Sequence, residues 1–146
     1  MKEFMSNSVE MTELIGAKFA NTLSGKEVIA LHGELGAGKT AFVRGVAKGL
    51  KISDDVSSPT FSIVHEYEAS AFPVYHFDMY RVNSCDDLYS TGYFDYIYTG
   101  VLLIEWSENI IEWLPEDVIN VYIRKEGEET RKIIFEGNDK FEGVGN

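Results

Sequence analysis

Eight residues between an apolar run and a helix-patterned segment carry the residue types that are needed to hold phosphate. Gly33, Gly38, Lys39 and Thr40 have the spacing G-x-x-x-x-G-K-[ST]. Glycine lets the backbone approach an anion closely, lysine adds a mobile positive charge, and threonine adds an oxygen suited to a hard cation such as Mg²⁺. The motif predicts that the loop from Gly33 to Thr40 binds the phosphates of a nucleoside triphosphate.

Two acidic residues at predicted strand ends are candidates for the rest of an ATPase site. Glu105 follows the apolar run "VLLI", and Asp78 follows "VYHF". Both are expected at the carboxyl edge of the sheet, where an acid can reach a metal ion or the attacking water, although a strand-end acid can also simply face solvent. Ser58 and Thr60 in "SSPTF" follow the loop helix, where they either sense the outer phosphate or form a rigid turn.

The segments around these residues alternate between helical and strand patterns. Met11, Ile15, Phe19 and Leu23 recur at helical spacing, which predicts a helix packed on a sheet, whose start could also approach the base of a nucleotide. Val28 to Leu31 predicts a strand, followed by the loop and a helix. Further strands are predicted in "VSSPTFSIVHEYE", "FPVYHFDMYRV" and "GVLLIEWSE", and a hairpin in "VINVYIRKEGEETRKIIFEG".

The expected fold class is α/β. It is a mixed, mostly parallel central sheet of the P-loop NTPase type, flanked by helices and ending in a C-terminal β-hairpin. At 146 residues the chain fits a single domain over 1–146, and we expect about 137–146 to be a frayed tail. The segment 89–98 is rich in aromatic residues, which predicts either a small satellite core or part of a partner surface.

The charge composition of the chain limits the kinds of partner that it can bind. The net charge is −11, from 13 Lys+Arg against 24 Asp+Glu, so the chain has few basic residues with which to bind nucleic acid unaided. We find no membrane-spanning pattern and no signal-peptide core, and the default expectation is a cytoplasmic protein. The single cysteine, Cys85, excludes an intrachain disulfide and a cysteine-cluster metal site.

Four blocks together resemble one known family. "GELGAGKT", "SSPTF", "YHFDMYR" and "LLIEWSE", in this order and spacing, are similar to the bacterial TsaE (YjeE) family of small P-loop ATPases for tRNA threonylcarbamoyladenosine biosynthesis. The resemblance covers nearly the whole chain. It implies an accessory ATPase that works with TsaD-like and TsaB-like partners, of which TsaD transfers the threonylcarbamoyl group to the adenosine beside the anticodon. The acidity of the chain agrees with tRNA being contacted only through the partners.

The resemblance also implies roles for individual residues. Thr40 and Glu105 hold Mg²⁺, while Asp78, Thr60 and Trp106 lie around the γ-phosphate of ATP. The residues that hold the phosphates are Leu35, Gly36, Ala37, Gly38, Lys39 and Thr40. Glu34 stands where the family usually has aspartate, which puts any specific contact from that side chain in doubt but leaves the backbone loop unaffected.

Other classes of P-loop protein remain as alternatives. A small-molecule kinase with an arginine-rich lid would draw on a total supply of Arg44, Arg81, Arg124 and Arg131. A signalling GTPase would need an N-K-x-D-type element, and no lysine here is followed two residues later by aspartate. The non-enzyme alternative is an interaction module in which bound ATP sets the affinity for a partner and hydrolysis is incidental.

Overall fold

A seven-stranded sheet organises the part of the chain that the computed structural model describes, which is residues 1–34, 37–52, 64–69 and 71–137. The elements in chain order are β1 (Lys2–Ser6), α1 (Val9–Ala20), β2 (Val28–His32), α2 (Lys39–Gly49), β3 (Val64–Glu68), β4 (Pro73–Asp78), α3 (Cys85–Ser90), α4 (Tyr93–Tyr96), β5 (Val101–Glu105), a 3₁₀ helix (Ser107–Trp113), β6 (Ile119–Lys125) and β7 (Arg131–Glu136).

The strand order β1-β7-β6-β2-β5-β4-β3 places the parallel strands in the middle of the sheet. β6, β2, β5 and β4 are mutually parallel neighbours, whereas β3 is antiparallel at one edge and β7 and β1 are antiparallel at the other. All five residues of β5 are buried, as expected for a parallel strand covered on both faces. The predicted mixed α/β sheet and its β6–β7 hairpin are confirmed.

Helices α1 and α2 cover one face of the sheet and approach each other very closely. A Cβ atom at Gly45 of α2 would collide with the backbone of Glu13, and one at Gly16 of α1 would lie 2.5 Å from the carbonyl oxygen of Phe42. The two helix backbones can therefore touch only because these positions are glycine. Phe19 and Phe42 are fully buried between the helices and the sheet.

Short helices cover the opposite face of β4 and β5, and there the aromatic segment has both buried and exposed side chains; its predicted role as part of a partner surface stays a prediction. Tyr93 is fully buried and its hydroxyl donates to the carbonyl of Trp113 at 2.8 Å, while burial raises the pKa of Tyr93 to about 12. In contrast, Tyr89 is 71% exposed and Tyr98 is 48% exposed. The segment thus supplies a second small core and also an exposed aromatic surface.

The sequence patterns did not anticipate strand β1. It pairs with β7 through the register Phe4↔Ile133, and the ring of Phe4 packs edge-on against Phe135 at 5.7 Å. Its five residues are too few to show a clear alternation, and the partner strand lies far along the chain. The predicted frayed tail, about 137–146, lies outside the described residues except for Gly137, so it stays a prediction.

The buried carboxylate of Glu27 orders the turn that leads from α1 into β2. It accepts hydrogen bonds from the backbone amides of Ser24, Gly25 and Lys26 at 2.8–3.1 Å, and from the Ser24 hydroxyl at 2.8 Å. Burial by itself would raise the pKa of Glu27, but the hydrogen bonds from Ser24 and Gly25 outweigh it and lower the pKa from 4.5 to about 2.

We expect Glu27→Gln to lower the free energy of unfolding at neutral pH by about 2 kcal/mol, because a charged acceptor of several hydrogen bonds is lost. A carboxylate with a lowered folded-state pKa stabilises the fold above its unfolded pKa of 4.5, and this contribution is lost as the pH falls toward about 2. Urea unfolding at a series of pH values gives the free energy of unfolding against pH. We expect the values for the wild type and Glu27→Gln to become equal in acid. A constant difference between the curves would contradict this account.

Candidate functional site

The loop between β2 and α2 requires glycine at both motif positions that the structure describes. A Cβ atom at Gly33 would lie 2.8 Å from the carbonyl oxygen of Ile123, so a larger residue would push β6 away. Gly38 has a φ of 107°, a left-handed conformation that other residues rarely adopt. Leu35 and Gly36 lie outside the described residues, and their predicted phosphate contacts stay predictions.

The N-terminus of α2 opens toward the loop without a side-chain cap. Gly38 occupies the cap position and has no side chain to bond the first amides of the helix. The Ala37 amide donates instead to the carbonyl of Glu34 at 3.0 Å, which closes a turn inside the loop. Because the first N–H groups of a helix lack intrahelical partners and carry partial positive charge, this end of α2 suits an anion.

One cleft brings together most of the predicted site residues that the structure describes. It has a volume of about 490 Å³, and Lys39, Thr40, Glu105 and Trp106 lie on its walls beside Gly33, Glu34 and Gly38. The Nζ atom of Lys39 lies 5.8 Å from the centre of the Trp106 ring. Trp106 directly follows β5 in a left-handed conformation with a φ of 60°. Lys39, Thr40 and Glu105 therefore face a common space from α2 and β5.

The second predicted acid lies level with the first on the neighbouring strand. Asp78 and Glu105 are register partners at the carboxyl ends of the parallel strands β4 and β5. Asp78 is half-buried, and its Oδ1 atom accepts a hydrogen bond from the amide of Tyr80 at 2.9 Å. The amide of Met79 donates to the carbonyl of Glu105 at 3.0 Å, which ties the two strand ends together. Thr60 lies outside the described residues, and its place in this site stays a prediction.

Sequence reasoning missed the histidine that contacts Glu105. The Nε2 atom of His76 lies 2.6 Å from Glu105 Oε2, and the pair is buried. His76 precedes Asp78 by two residues on β4, and this alternation was the available signal that the two residues share a face of the strand. Nothing in the sequence pointed to a contact with Glu105, which lies on a different strand.

Two arginines line the cleft, and both already have partners. Arg44 Nε lies 4.0 Å from Glu13 Oε2 on α1, and Arg131 Nη1 donates to three carbonyls of the β6–β7 hairpin at 3.0–3.1 Å. Arg81, three residues after Asp78 in the sequence, is exposed and is not among the cleft residues. Lys39 is therefore the residue of α2 whose positive charge can face phosphates bound at the loop.

The oxygen atoms in the cleft have the chemistry that Mg²⁺ prefers. Thr40 offers a hydroxyl and Glu105 a carboxylate, both hard donors on the wall of the same cleft. Among the described residues, no group of three or more His, Cys, Asp or Glu side chains could hold a metal ion. Since Mg²⁺ commonly takes most of its ligands from water and substrate phosphates, this sparse donor set fits an ion that arrives with a nucleotide.

The start of α1 lies beside the same loop. Val9 borders the main cleft, and a neighbouring hollow of about 330 Å³ is lined by Ser8, Glu10, Gly38 and Arg131 among others. The Ser8 hydroxyl accepts a hydrogen bond from the amide of Met11 at 3.0 Å and caps α1. Close packing of α1 on α2 thus brings the first turn of α1 to the edge of the cleft.

A central parallel strand that leads through a glycine loop into a helix, with acidic residues at the ends of neighbouring strands, defines a P-loop α/β protein of the nucleotide-binding type. Comparison with known proteins narrows this class. The model of the family described as "Threonylcarbamoyl adenosine biosynthesis protein TsaE" matches residues 6–133. The chain belongs to the TsaE family.

Individual relatives agree with this assignment. The chain is 39% identical over 127 residues to a Bacillus subtilis protein named "tRNA threonylcarbamoyladenosine biosynthesis protein TsaE", covering 86% of this chain and 79% of that protein. A protein of the same name from Aquifex aeolicus is 43% identical over 110 residues, covering 74% of this chain and 78% of the relative. The crystal structure of Bacillus subtilis YdiB matches with a TM-score of 0.77 and 33% identity, covering 97% of this chain and 88% of that one.

Every helix in the described ranges falls short of the length and apolar character that a membrane span requires.

Proposed function

We propose that this chain is a Mg²⁺-dependent ATP hydrolase that acts in the threonylcarbamoyl modification of the adenosine next to the anticodon in tRNA. The observation that carries the proposal is the cleft in which Lys39 and Thr40 of the loop helix face Glu105 at the end of β5. Family membership supports the pathway, because the relatives are named for this modification. The proposed ATPase domain spans residues 1–146.

Each residue has a proposed role in this reaction. Backbone amides of the loop and the start of α2 hold the phosphates, and the charge of Lys39 offsets that of the outer phosphates. Thr40 and Glu105 hold the metal ion, which supplies charge neutralisation and orientation of the phosphates. Asp78 orients the attacking water, with Thr60 as a further γ-phosphate contact. The hollow beside Ser8 and Arg131 is the proposed place for the nucleoside end of ATP.

We also propose that the protein works in the cytoplasm with TsaD-like and TsaB-like partners. The net charge of −11 disfavours direct binding of the tRNA phosphate backbone, so the tRNA is contacted through the partners. The transfer reaction belongs to the TsaD-like partner, and this chain supplies ATP hydrolysis. A nucleotide-gated interaction module is the second candidate, favoured by the exposed aromatic rings of Tyr80, Tyr89 and Tyr98.

Equilibrium binding of a fluorescent non-hydrolysable ATP analogue tests the proposal. We expect binding that Mg²⁺ strengthens and that ATP competes for better than GTP does. Glu105→Gln should raise the Mg²⁺ concentration for half-maximal binding by at least about tenfold, because even indirect contacts to a metal ligand are worth about 10–100-fold in affinity. Glu108→Gln is the matched control, since Glu108 is exposed on the 3₁₀ helix and is not among the cleft residues.

The same assays separate Asp78 from Glu105. Asp78→Asn should lower ATP turnover by about 100-fold or more, the usual range for loss of a group that positions or deprotonates a nucleophile, while Mg²⁺-dependent binding stays close to wild type. Identical Mg²⁺ titrations for wild type and Glu105→Gln would reject the metal assignment. Unchanged turnover in Asp78→Asn would reject the role of Asp78.

A further inference from the structure

A buried histidine lies behind the carboxylate that faces the nucleotide cleft. His76 is 1% exposed and Glu105 is 8% exposed, and His76 Nε2 lies 2.6 Å from Glu105 Oε2. The two residues lie on adjacent parallel strands, with Leu103 as the register partner of His76 and Asp78 as that of Glu105. The contact is therefore diagonal across β4 and β5, on the face that carries the cleft.

The chemistry of the pair fixes the direction of its hydrogen bond. A carboxylate that serves a metal ion is ionised and only accepts, so under the proposed function the Nε2 atom of His76 carries the hydrogen and donates it. The Nδ1 atom of His76 is buried as well and has no hydrogen-bond partner among the described residues. The centre of the imidazole ring lies 6.2 Å from the centre of the Tyr67 ring, and the two rings are tilted by 40°.

A buried histidine with an unpaired ring nitrogen lowers the stability of the fold if its side chain only fills the core. Leaving a buried polar atom unpaired costs stability, whereas an apolar side chain of similar size would fill the same space without that cost. The neighbouring buried positions of β4, Val74 and Phe77, are apolar in this way. We therefore look for a role of His76 other than packing, and within the described part of the chain its ring forms a hydrogen bond with Glu105.

We propose that His76 is a positioning residue for Glu105. By holding Oε2, it keeps the carboxylate in one orientation at the wall of the cleft, so that Glu105 meets the metal–nucleotide complex without first losing rotamer freedom. This inference rests on the proposed function, because it assumes that Glu105 serves the metal ion. A histidine that orients a ligand without touching the metal or ATP should affect metal dependence only through Glu105.

The test is a double-mutant cycle in the Mg²⁺ titration of analogue binding. His76→Leu removes the donor, and His76→Gln is the matched variant because its amide can reach Glu105 and donate in place of Nε2. We expect His76→Leu to raise the half-maximal Mg²⁺ concentration by about 10–100-fold and His76→Gln to restore most of that loss. In a Glu105→Gln background, His76→Leu should add less than about twofold, since its effect passes through the missing carboxylate.

The outcomes separate this inference from the proposed function. If Glu105→Gln alters the Mg²⁺ titration but a folded His76→Leu does not, or if the two effects add in full, the positioning role is wrong and the proposed function stands. If neither the wild type nor Glu105→Gln shows Mg²⁺-dependent binding, both ideas fail together.

A measurement on the wild-type protein covers the case in which His76→Leu does not fold. Long-range ¹H–¹⁵N correlation spectra of the imidazole ring report which ring nitrogen carries hydrogen. We expect hydrogen on Nε2 of His76 both without nucleotide and with the analogue and Mg²⁺ bound. An unprotonated Nε2 would overturn the proposal, because that atom could not then donate to Glu105.

Discussion

Replacement of Lys39 by alanine is expected to reduce ATP turnover by about 100-fold or more and to leave the fold intact. Lys39 begins α2, lies on the wall of the cleft and is half-exposed, so that its removal leaves no cavity in the core. Its charge opposes that of the outer phosphates, where negative charge develops during transfer, and loss of one preorganised donor at such a place costs about 100–1,000-fold in turnover.

Lys48→Ala is the matched control for this variant. Lys48 lies in the last turn of the same helix, is exposed, and forms an ion pair with Glu13 at the surface. Both variants remove one positive charge from α2, but only Lys39 borders the cleft. Steady-state hydrolysis and the thermal unfolding midpoint should be measured for both. A folded Lys39→Ala protein with wild-type turnover would contradict the proposed phosphate site.

A TsaD-like and TsaB-like pair is expected to raise ATP turnover by more than about tenfold. A P-loop ATPase needs a phosphate loop, a metal ion, a positioned water and often an arginine for the charge of the transition state, and an arginine supplied by a partner is worth about 10³–10⁵ in other enzymes of this class. Here Arg44 at the cleft forms an ion pair with Glu13 at 4.0 Å, and Arg131 donates hydrogen bonds to the hairpin backbone. The isolated protein is therefore expected to bind ATP and to hydrolyse it slowly.

Thermodynamic linkage adds a quantitative requirement to this prediction. If the partners favour the ATP-bound form, the ATP analogue must tighten partner binding by the same factor, commonly about 5–150-fold. The measurements are partner affinity with the analogue, with ADP and without nucleotide, together with hydrolysis rates with and without the pair.

Different results point to different functions. Nucleotide-dependent affinity with an unchanged hydrolysis rate would favour the interaction module over the ATPase. Equal affinity in all three nucleotide states, with an unchanged rate, would remove the accessory role and favour a stand-alone nucleotide enzyme.

The exposed aromatic side chains provide variants that probe docking in the same assay. Tyr89→Ser should change partner affinity without changing analogue binding if this surface contacts the pair, because Tyr89 is 71% exposed and is not among the cleft residues.

Local patterns predicted the elements of this site well because each is encoded by nearby residues. The loop motif and the apolar periodicity after it predicted α2. The apolar runs before Asp78 and Glu105 predicted β4 and β5, with both acids at the carboxyl ends of these strands. Parallel strand ends meet at one edge of a sheet, so the position of Asp78 beside Glu105 could also be expected, and of the two acids Glu105 lines the cleft.

Contacts between distant segments were not available from the sequence. Strand β1 forms by pairing with the edge of β7, and the sequence pattern of its five residues does not by itself predict a strand. The contact between His76 and Glu105 depends on the stagger of two strands that are joined through α3 and α4. The sequence also could not show which way Arg81 points, and the turn after β4 leaves it exposed.

The strand order has a consequence for how the protein is made. β2, which carries the phosphate loop, lies between β5 and β6, and both neighbours are synthesised after it. At about 5–20 residues per second, the ribosome needs about 5–20 s to pass from His32 to Lys125. Until β5 has been made, the apolar strand Val28–His32 lacks both of its neighbours in the sheet, and until β6 has been made it still lacks one of them. Because Gly33 of the loop packs against Ile123 of β6, the nucleotide site is complete only in a chain whose synthesis has passed β6.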